Sequence, residues 1–339
     1  MRAIDELLRD ACGDEFTGAV ARIEHRGQVV FERAYGTTRL DALGRTVYVD
    51  TRFDLASLTK LFVATLLLQL VGNERLDLDE PLARVIPEWG GGPHRAITAR
   101  MLLAHTSGMN SGADYRAIVD ENVESFALHS PLVANPGERV IYSDLGFIAL
   151  GAAIARLRGT SLAAAARAFS PSLTFRPSAR ERPAIPATEK DGWRGRVQGF
   201  VHDEKAFLMG GVAGHAGLFG TAADVAALTE AYLGTLRGRA SALLPKRLVR
   251  EAVNEQAGDP VLRRGLGWAL KTTDENSCGR LMDRSSFGHT GFVGTCVWAD
   301  PVRDVQGVLL TNAVYFGRGD TRDIRARFYE ATIECLPSA

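Results

Sequence analysis

Apolar and polar residues alternate at the two ends of this chain and hardly at all between them. Near the N-terminus, TGAVARIEHRGQVVFERAYG alternates on both sides of Arg26-Gly27 and reads as an antiparallel hairpin. In the last third, GLGWAL, FGHTGFVGTCVWADP and VQGVLLTNAV have strand character, and the amphipathic stretch from about Asp320 to Cys335 predicts a closing helix. From Ser57 to about Gly199 the periodicity is helical instead. The pattern predicts an α/β (α+β) fold: one antiparallel sheet completed by both termini and flanked by helices, with an inserted, mainly helical domain. The expected division is residues 1–52 and 200–339 for the sheet domain and 53–199 for the helical one, with the active site at their interface.

Local signals refine this outline. Residues 3–12 form a helix that Gly13 can end, and Thr98 can cap a short helix carrying Met101, Leu102 and Leu103. A loop at NPGER leads into a helix from Leu145 to Leu157, which leaves Tyr142, Ser143 and Asp144 at its start. Residues 170–199, rich in Pro, Arg and Ser, read as a long connection. Five glycines, at 210, 211, 214, 217 and 220, precede a helix that Thr221 can cap, and let backbone lie close to a ligand or another segment.

Forty basic and forty acidic residues cancel, so nothing in the charge points to nucleic acid or a membrane surface. The four cysteines are scattered singly, without the pairing of a zinc site or a disulfide framework, and suggest isolated thiols in a reducing compartment. No apolar run reaches the roughly 18 residues of a membrane span, and MRAIDELLRDACGDE lacks the apolar core of a secretory signal. These readings point to a cytoplasmic protein with no nucleic-acid or membrane partner. The oligomeric state is not fixed by them.

Within FDLASLTK, Ser57 and Lys60 stand three residues apart at the start of an apolar helix running to Gly72. That spacing puts the hydroxyl and the amine on one face, near the positive end of the helix dipole. An ordinary lysine has a pKa of about 10.4, and burial in so apolar a helix is expected to lower it until Lys60 can accept a proton. Ser-x-x-Lys arises by chance in most chains of this length, and a capping serine followed by a surface lysine is the alternative reading. Weight comes from two further motifs in order: Tyr142-Ser143-Asp144 on a loop, and His289-Thr290-Gly291 on a late strand.

Together the three motifs resemble the signature elements of the penicillin-recognising serine hydrolases, Ser-x-x-Lys, Tyr-x-Asn and Lys-Thr-Gly. LLAHTSGM, NPGERVIYSDLGFIALG, GHTGFVGT and the segment from PATEKDGWRG to GGVAGHAGLFGTAADVA extend the likeness over roughly residues 15–335. The nearest branch is that of class C β-lactamases, D-alanyl-D-alanine carboxypeptidases and related esterases. The resemblance implies that Ser57 forms an acyl-enzyme, that Lys60 and Tyr142 share the base role, and that the N–H groups of Ser57 and Phe292 make the oxyanion hole. It further implies substrate contacts from Asp144, His289, Thr290 and Gly291, with no metal and no cofactor.

Two departures bear on the substrate. His289 replaces a lysine and is mostly neutral at pH 7, so recognition of a substrate carboxylate should weaken. Asp144 replaces an asparagine, can only accept hydrogen bonds when ionised, and can hold Lys60 and raise its pKa. A small, less charged acyl substrate such as a carboxylic ester is therefore expected. A β-lactamase, a D-Ala-D-Ala carboxypeptidase or D-aminopeptidase, an acyltransferase and a non-catalytic penicillin-binding-type sensor are the alternatives. Ser161 in GTSLA reads as a helix cap, His202-Asp203-Glu204 as a loop-fixing or substrate-edge segment rather than metal ligands, and His105 and His215 as backbone-bonding histidines. Trp268, Phe292 and Trp298 are candidates for the acyl pocket or the core.

Overall fold

The fold is that of a computed structural model, which describes residues 1–112, 114, 117–258 and 260–336. Helix α1 (Arg2–Ala11) is followed by β1 (Gly18–His25) and β2 (Gln28–Gly36), then by the two-residue β3 (Phe53–Asp54). A 3-10 turn, Ala56–Leu58, leads into α2 (Thr59–Gly72). Four more helices follow: α3 (Ala99–Leu103), α4 (Val123–His129), α5 (Asp144–Arg158) and α6 (Leu162–Ala166). The small hairpin of β4 (Lys190–Asp191) and β5 (Gly195–Arg196) precedes α7 (Glu204–Leu208), β6 (Phe219–Gly220), α8 (Ala222–Leu236) and α9 (Lys246–Val253). The chain ends in β7 (Arg263–Arg264), β8 (Ala269–Leu270), β9 (Phe287–Thr290), β10 (Cys296–Asp300), β11 (Val305–Thr311) and α10 (Arg322–Glu334).

Seven strands make one sheet in the order β2-β1-β11-β10-β9-β8-β7, so the N-terminal hairpin pairs directly with the last strand. Ala19 lies opposite Thr311 and His25 opposite Val305 in that antiparallel seam. At the hairpin bend both Arg26 and Gly27 have positive φ, the geometry that matches the twist of the strands they join.

Side chains of successive strand residues point to opposite faces, and the burial follows that rule. Ala19, Ala21, Ile23, Trp298 and Leu309 pack with α1 and α10 through Ile4, Leu8, Phe328 and Tyr329. Val20, Val297, Val308 and Leu310 face the other way and join Val225 of α8 and Phe62 of α2 in the larger core. That core runs without a break into the central helices, through Leu103, Phe147 and Ile154. Trp298 and Trp268 are buried core residues, whereas Phe292 is exposed. No helix among the described residues is long and apolar enough to cross a membrane.

Candidate active site

The turn that carries Ser57 is held by its neighbours rather than by its own helix. Strand β3 pairs antiparallel with β6, and the Leu55 amide donates to the Leu218 carbonyl at 2.9 Å. Asp54 is buried; its carboxylate accepts the Ala56 amide at 2.8 Å and the His202 amide at 2.6 Å. Burial pushes the Asp54 carboxyl up, and these two amides work against that shift. So anchored, Ala56 adopts a left-handed φ of 46°, unfavourable for a residue with a Cβ, and turns Ser57 toward the cleft. Ser57 thus sits in the 3-10 turn, and α2 begins two residues later.

Tyr142 is positioned from both sides. Ser143 caps α5, its hydroxyl accepting the Gly146 amide at 2.9 Å while donating to the Asn110 carbonyl at 2.6 Å. The Ser143 amide donates to His105 Nδ1 at 3.1 Å, the Ile141 amide to the His105 carbonyl at 2.7 Å, and the Ser111 hydroxyl to the Tyr142 carbonyl at 2.9 Å. The His105 ring lies 4.6 Å from the Tyr142 ring, centroid to centroid. Burial, reinforced by Arg264, Lys60 and His289, keeps the His105 pKa well below the usual imidazole range, so this neutral ring is a strut for the Tyr142 loop.

Three side chains converge. Ser57 Oγ accepts a hydrogen bond from Lys60 Nζ at 3.0 Å and another from the Tyr142 hydroxyl at 3.1 Å. Lys60 is wholly buried; beyond Ser57 it donates to Asp144 Oδ1 at 2.9 Å and to the His215 carbonyl at 3.0 Å. An ammonium has three protons, and all three are used. Here the expectation that burial lowers the Lys60 pKa is corrected. Burial does push it down, but Asp144 and Tyr142 push harder, and the net shift is upward. The same pairing holds Asp144 below the usual carboxylate range despite its burial, with His215 and Lys205 adding to the effect of Lys60.

The ion pair belongs to a closed ring. Asp144 Oδ2 lies 3.3 Å from Lys205 Nζ, which lies 3.5 Å from Asp203 Oδ2. Asp203 Oδ1 meets His215 Nε2 at 2.7 Å, and the His215 carbonyl returns to Lys60. Asp144, Asp203 and His215 bring possible ligand atoms within 4.8 Å of one another. The two carboxylates are already neutralised by two ammonium groups, so this donor set is built to hold lysines.

His289, on β9, is buried, with Nδ1 donating to the Thr290 carbonyl at 2.8 Å. Burial, then the cations Lys60 and Arg264, lower its pKa to about 3, so it carries no charge at neutral pH. Gly291 ends the strand against the Ser57 turn: a Cβ there would lie 2.8 Å from the Leu55 carbonyl oxygen and 2.1 Å from Thr295 Oγ1. The next residue, Phe292, is exposed and stacks on His202 with ring centroids 5.5 Å apart. The Arg318 guanidinium carbon lies 5.6 Å from the Phe292 ring centroid, and Arg318 pairs with Glu189.

A cleft of about 320 Å³ is lined by Ser57, Tyr142, Asp144, Lys205, Phe292 and Arg318, among others. His289, Thr290 and Gly291 lead directly to Phe292, which lines the cleft. Sequence reasoning missed Lys205, gave Arg318 no role in the site, and did not connect Asp203 with His215, although the histidine and the segment containing the aspartate were noticed. It also missed Arg325, whose signal is a charge within the apolar stripe of α10 that includes Ile324, Phe328 and Tyr329.

An antiparallel sheet closed by both termini, with half-buried Ser57 and Tyr142 meeting the buried Lys60 at the cleft, defines a hydrolase of the β-lactamase fold. Residues 4–332 match the family described as Beta-lactamase, and the chain belongs to that family. It is similar to esterase EstB of Burkholderia gladioli, with 30% identity covering 95% of this chain and 92% of that one. It is also similar to an N-acetylmuramyl-L-alanine amidase of Bacillus subtilis (strain 168), with 28% identity covering 92% and 80%. A solved structure of a class C β-lactamase superposes with a TM-score of 0.79 over 98% of this chain and 97% of that one, at 16% identity.

Proposed function

We propose that the protein is a serine hydrolase acting through a Ser57 acyl-enzyme, with a small carboxylic ester as substrate. The observation that carries this reading is the contact of Ser57 Oγ with both Lys60 Nζ and the Tyr142 hydroxyl. In this mechanism Lys60 is a fixed cation and Tyr142 moves the proton. Lys60, held charged chiefly by Asp144, and the Tyr142 hydroxyl flank the Ser57 oxygen at 3.0 and 3.1 Å. Once it has given up its own proton to solvent, Tyr142 accepts the Ser57 proton, reversing the hydrogen bond it donates at rest, as Oγ bonds to the scissile carbonyl carbon. Negative charge on the carbonyl oxygen is met by the N–H groups of Ser57 and Phe292. As the tetrahedral intermediate collapses, the C–O bond to the leaving alcohol breaks and Tyr142 returns the proton to that oxygen. Water, deprotonated by the same route, then releases the acid and restores Ser57.

The ester preference is supported by the chemistry beside Ser57. His289 is neutral, and the two cations that line the cleft are already paired, Lys205 with Asp144 and Asp203 and Arg318 with Glu189, which disfavours a substrate carboxylate. The likeness to an esterase over nearly the full length of both chains agrees. Amide hydrolysis is the second reading, favoured by the likeness to the Bacillus subtilis amidase.

The test is an assay of wild type and Ser57→Ala on p-nitrophenyl butyrate, a chromogenic cephalosporin and a D-Ala-D-Ala peptide, alongside fluorophosphonate labelling. Butyrate turnover and label that both vanish in Ser57→Ala are expected. Label at another residue would overturn the mechanism, and rapid cephalosporin or peptide turnover without ester turnover would overturn the substrate.

A further inference from the structure

Arg325 occupies a position on α10 where the helix otherwise buries apolar residues, and it is only 8% exposed. Among the described residues no carboxylate lies within ion-pairing distance of its guanidinium, and Asp320 acts on it only from farther off. Its guanidinium donates instead to main-chain carbonyls: to Gly291 at 2.6 Å, to Thr295 at 3.3 Å and to Gly294 at 3.4 Å. Burial pulls its pKa down, yet a guanidinium stays protonated throughout the range in which proteins function. Burying a cation without a counter-ion is costly, so the fold should keep one only where its effect on those carbonyls matters.

The three carbonyls belong to one turn. The Gly291 amide donates to the Thr295 carbonyl at 2.7 Å and the Gly294 amide to the Gly291 carbonyl at 3.1 Å, which closes the turn on itself. Thr295 Oγ1 ties it to the Ser57 segment by donating to the Leu55 carbonyl at 3.2 Å. The Gly291 carbonyl and the Phe292 N–H are the two ends of a single planar peptide group. A short, charge-assisted hydrogen bond to that oxygen draws electron density toward it and makes the N–H at the other end a stronger donor.

We propose that Arg325 is a positioning residue for catalysis, holding and polarising the Gly291–Phe292 peptide so that the Phe292 N–H stabilises an oxyanion formed at Ser57. The proposal rests on reading that N–H as an oxyanion donor, and it assigns Arg325 no contact with substrate. Because the donor works mainly on the tetrahedral state, loss of Arg325 should lower kcat more than it raises KM.

The experiment compares Arg325→Met, Arg325→Gln and Arg325→Lys on p-nitrophenyl butyrate, together with the infrared carbonyl stretch of a slowly hydrolysed Ser57 acyl-enzyme. The Met variant should lose at least tenfold in kcat with KM within about threefold. The Gln variant should be intermediate, the Lys variant should recover most of the rate, and the stretch should move to higher wavenumber as rate is lost. If the Met variant does not fold, the Gln and Lys variants decide the matter. Unchanged kcat and an unchanged carbonyl band in folded Arg325→Gln would overturn the proposal, as would equal loss in kcat and 1/KM with no band shift. A wild-type acyl-enzyme whose band matches that of the denatured adduct would overturn the oxyanion reading itself, and this proposal with it.

Discussion

Lys60 Nζ and Asp144 Oδ1 lie 2.9 Å apart with the lysine wholly buried, and this pair decides which group beside Ser57 can carry a proton. Removing the carboxylate leaves burial as the dominant influence on Lys60, whose pKa then falls. In Asp144→Asn, kcat/KM should therefore acquire an alkaline limb that wild type lacks below about pH 10, as the required cation is lost on raising the pH. A pH–rate profile from pH 6 to 10.5 checks this. Activity that instead rises through the new pKa would make neutral Lys60 the base.

Tyr142→Phe removes the hydroxyl that contacts Ser57 and leaves the ring packed against His105. The rate should fall by about 10² to 10⁴ in kcat, while the thermal midpoint stays within a degree or two. Steady-state kinetics and thermal unfolding on the same preparation separate the two effects.

Gly291→Ala is expected to be among the most damaging single-atom additions in the chain. The new Cβ would sit 2.1 Å from Thr295 Oγ1 and 2.8 Å from the Leu55 carbonyl oxygen, so the strand end and the Ser57 turn must separate. Overpacking of this kind costs about 1–3 kcal/mol, and the rate should drop by about 10² or more through misplacement of the Phe292 amide. Denaturant unfolding and ester hydrolysis report the two losses.

Stability should fall as the pH drops from about 6.5 toward 3. His289, with its pKa lowered to about 3, and His105, lowered well below the imidazole range, stay unprotonated in the fold, whereas in the unfolded chain each takes up a proton near pH 6.5. The unfolded state thus binds more protons across that window and is favoured by acid, by on the order of 1 kcal/mol per pH unit for each histidine. Chemical denaturation at pH 7 and pH 5 should show the difference, and His289→Asn should flatten it.

How much of this was legible in the sequence depends on how local each signal is. The hairpin at Arg26-Gly27, the caps at Thr98, Ser161 and Thr221, and the strand character of both ends are written within a few residues, and the structure contains each of them. The first two motifs named Ser57, Lys60 and Tyr142, and Ser57 Oγ lies within 3.1 Å of both other side chains. What was not legible is set by residues far apart in the chain. The charge state of Lys60 depends on a carboxylate 84 positions away, and the Lys205 and Asp203 ring closes through the His215 backbone. The Arg325 contact with Gly291 exists only because the closing helix packs across the sheet from the turn after β9. Those couplings leave no periodicity to read.

The most direct test is mass spectrometry of protein quenched within milliseconds of mixing with p-nitrophenyl butyrate. A butyryl adduct is expected on the peptide containing Ser57, formed during a burst of p-nitrophenol and absent from Ser57→Ala. A burst with the adduct on another residue, or undiminished turnover by Ser57→Ala, would contradict the Ser57 acyl-enzyme mechanism.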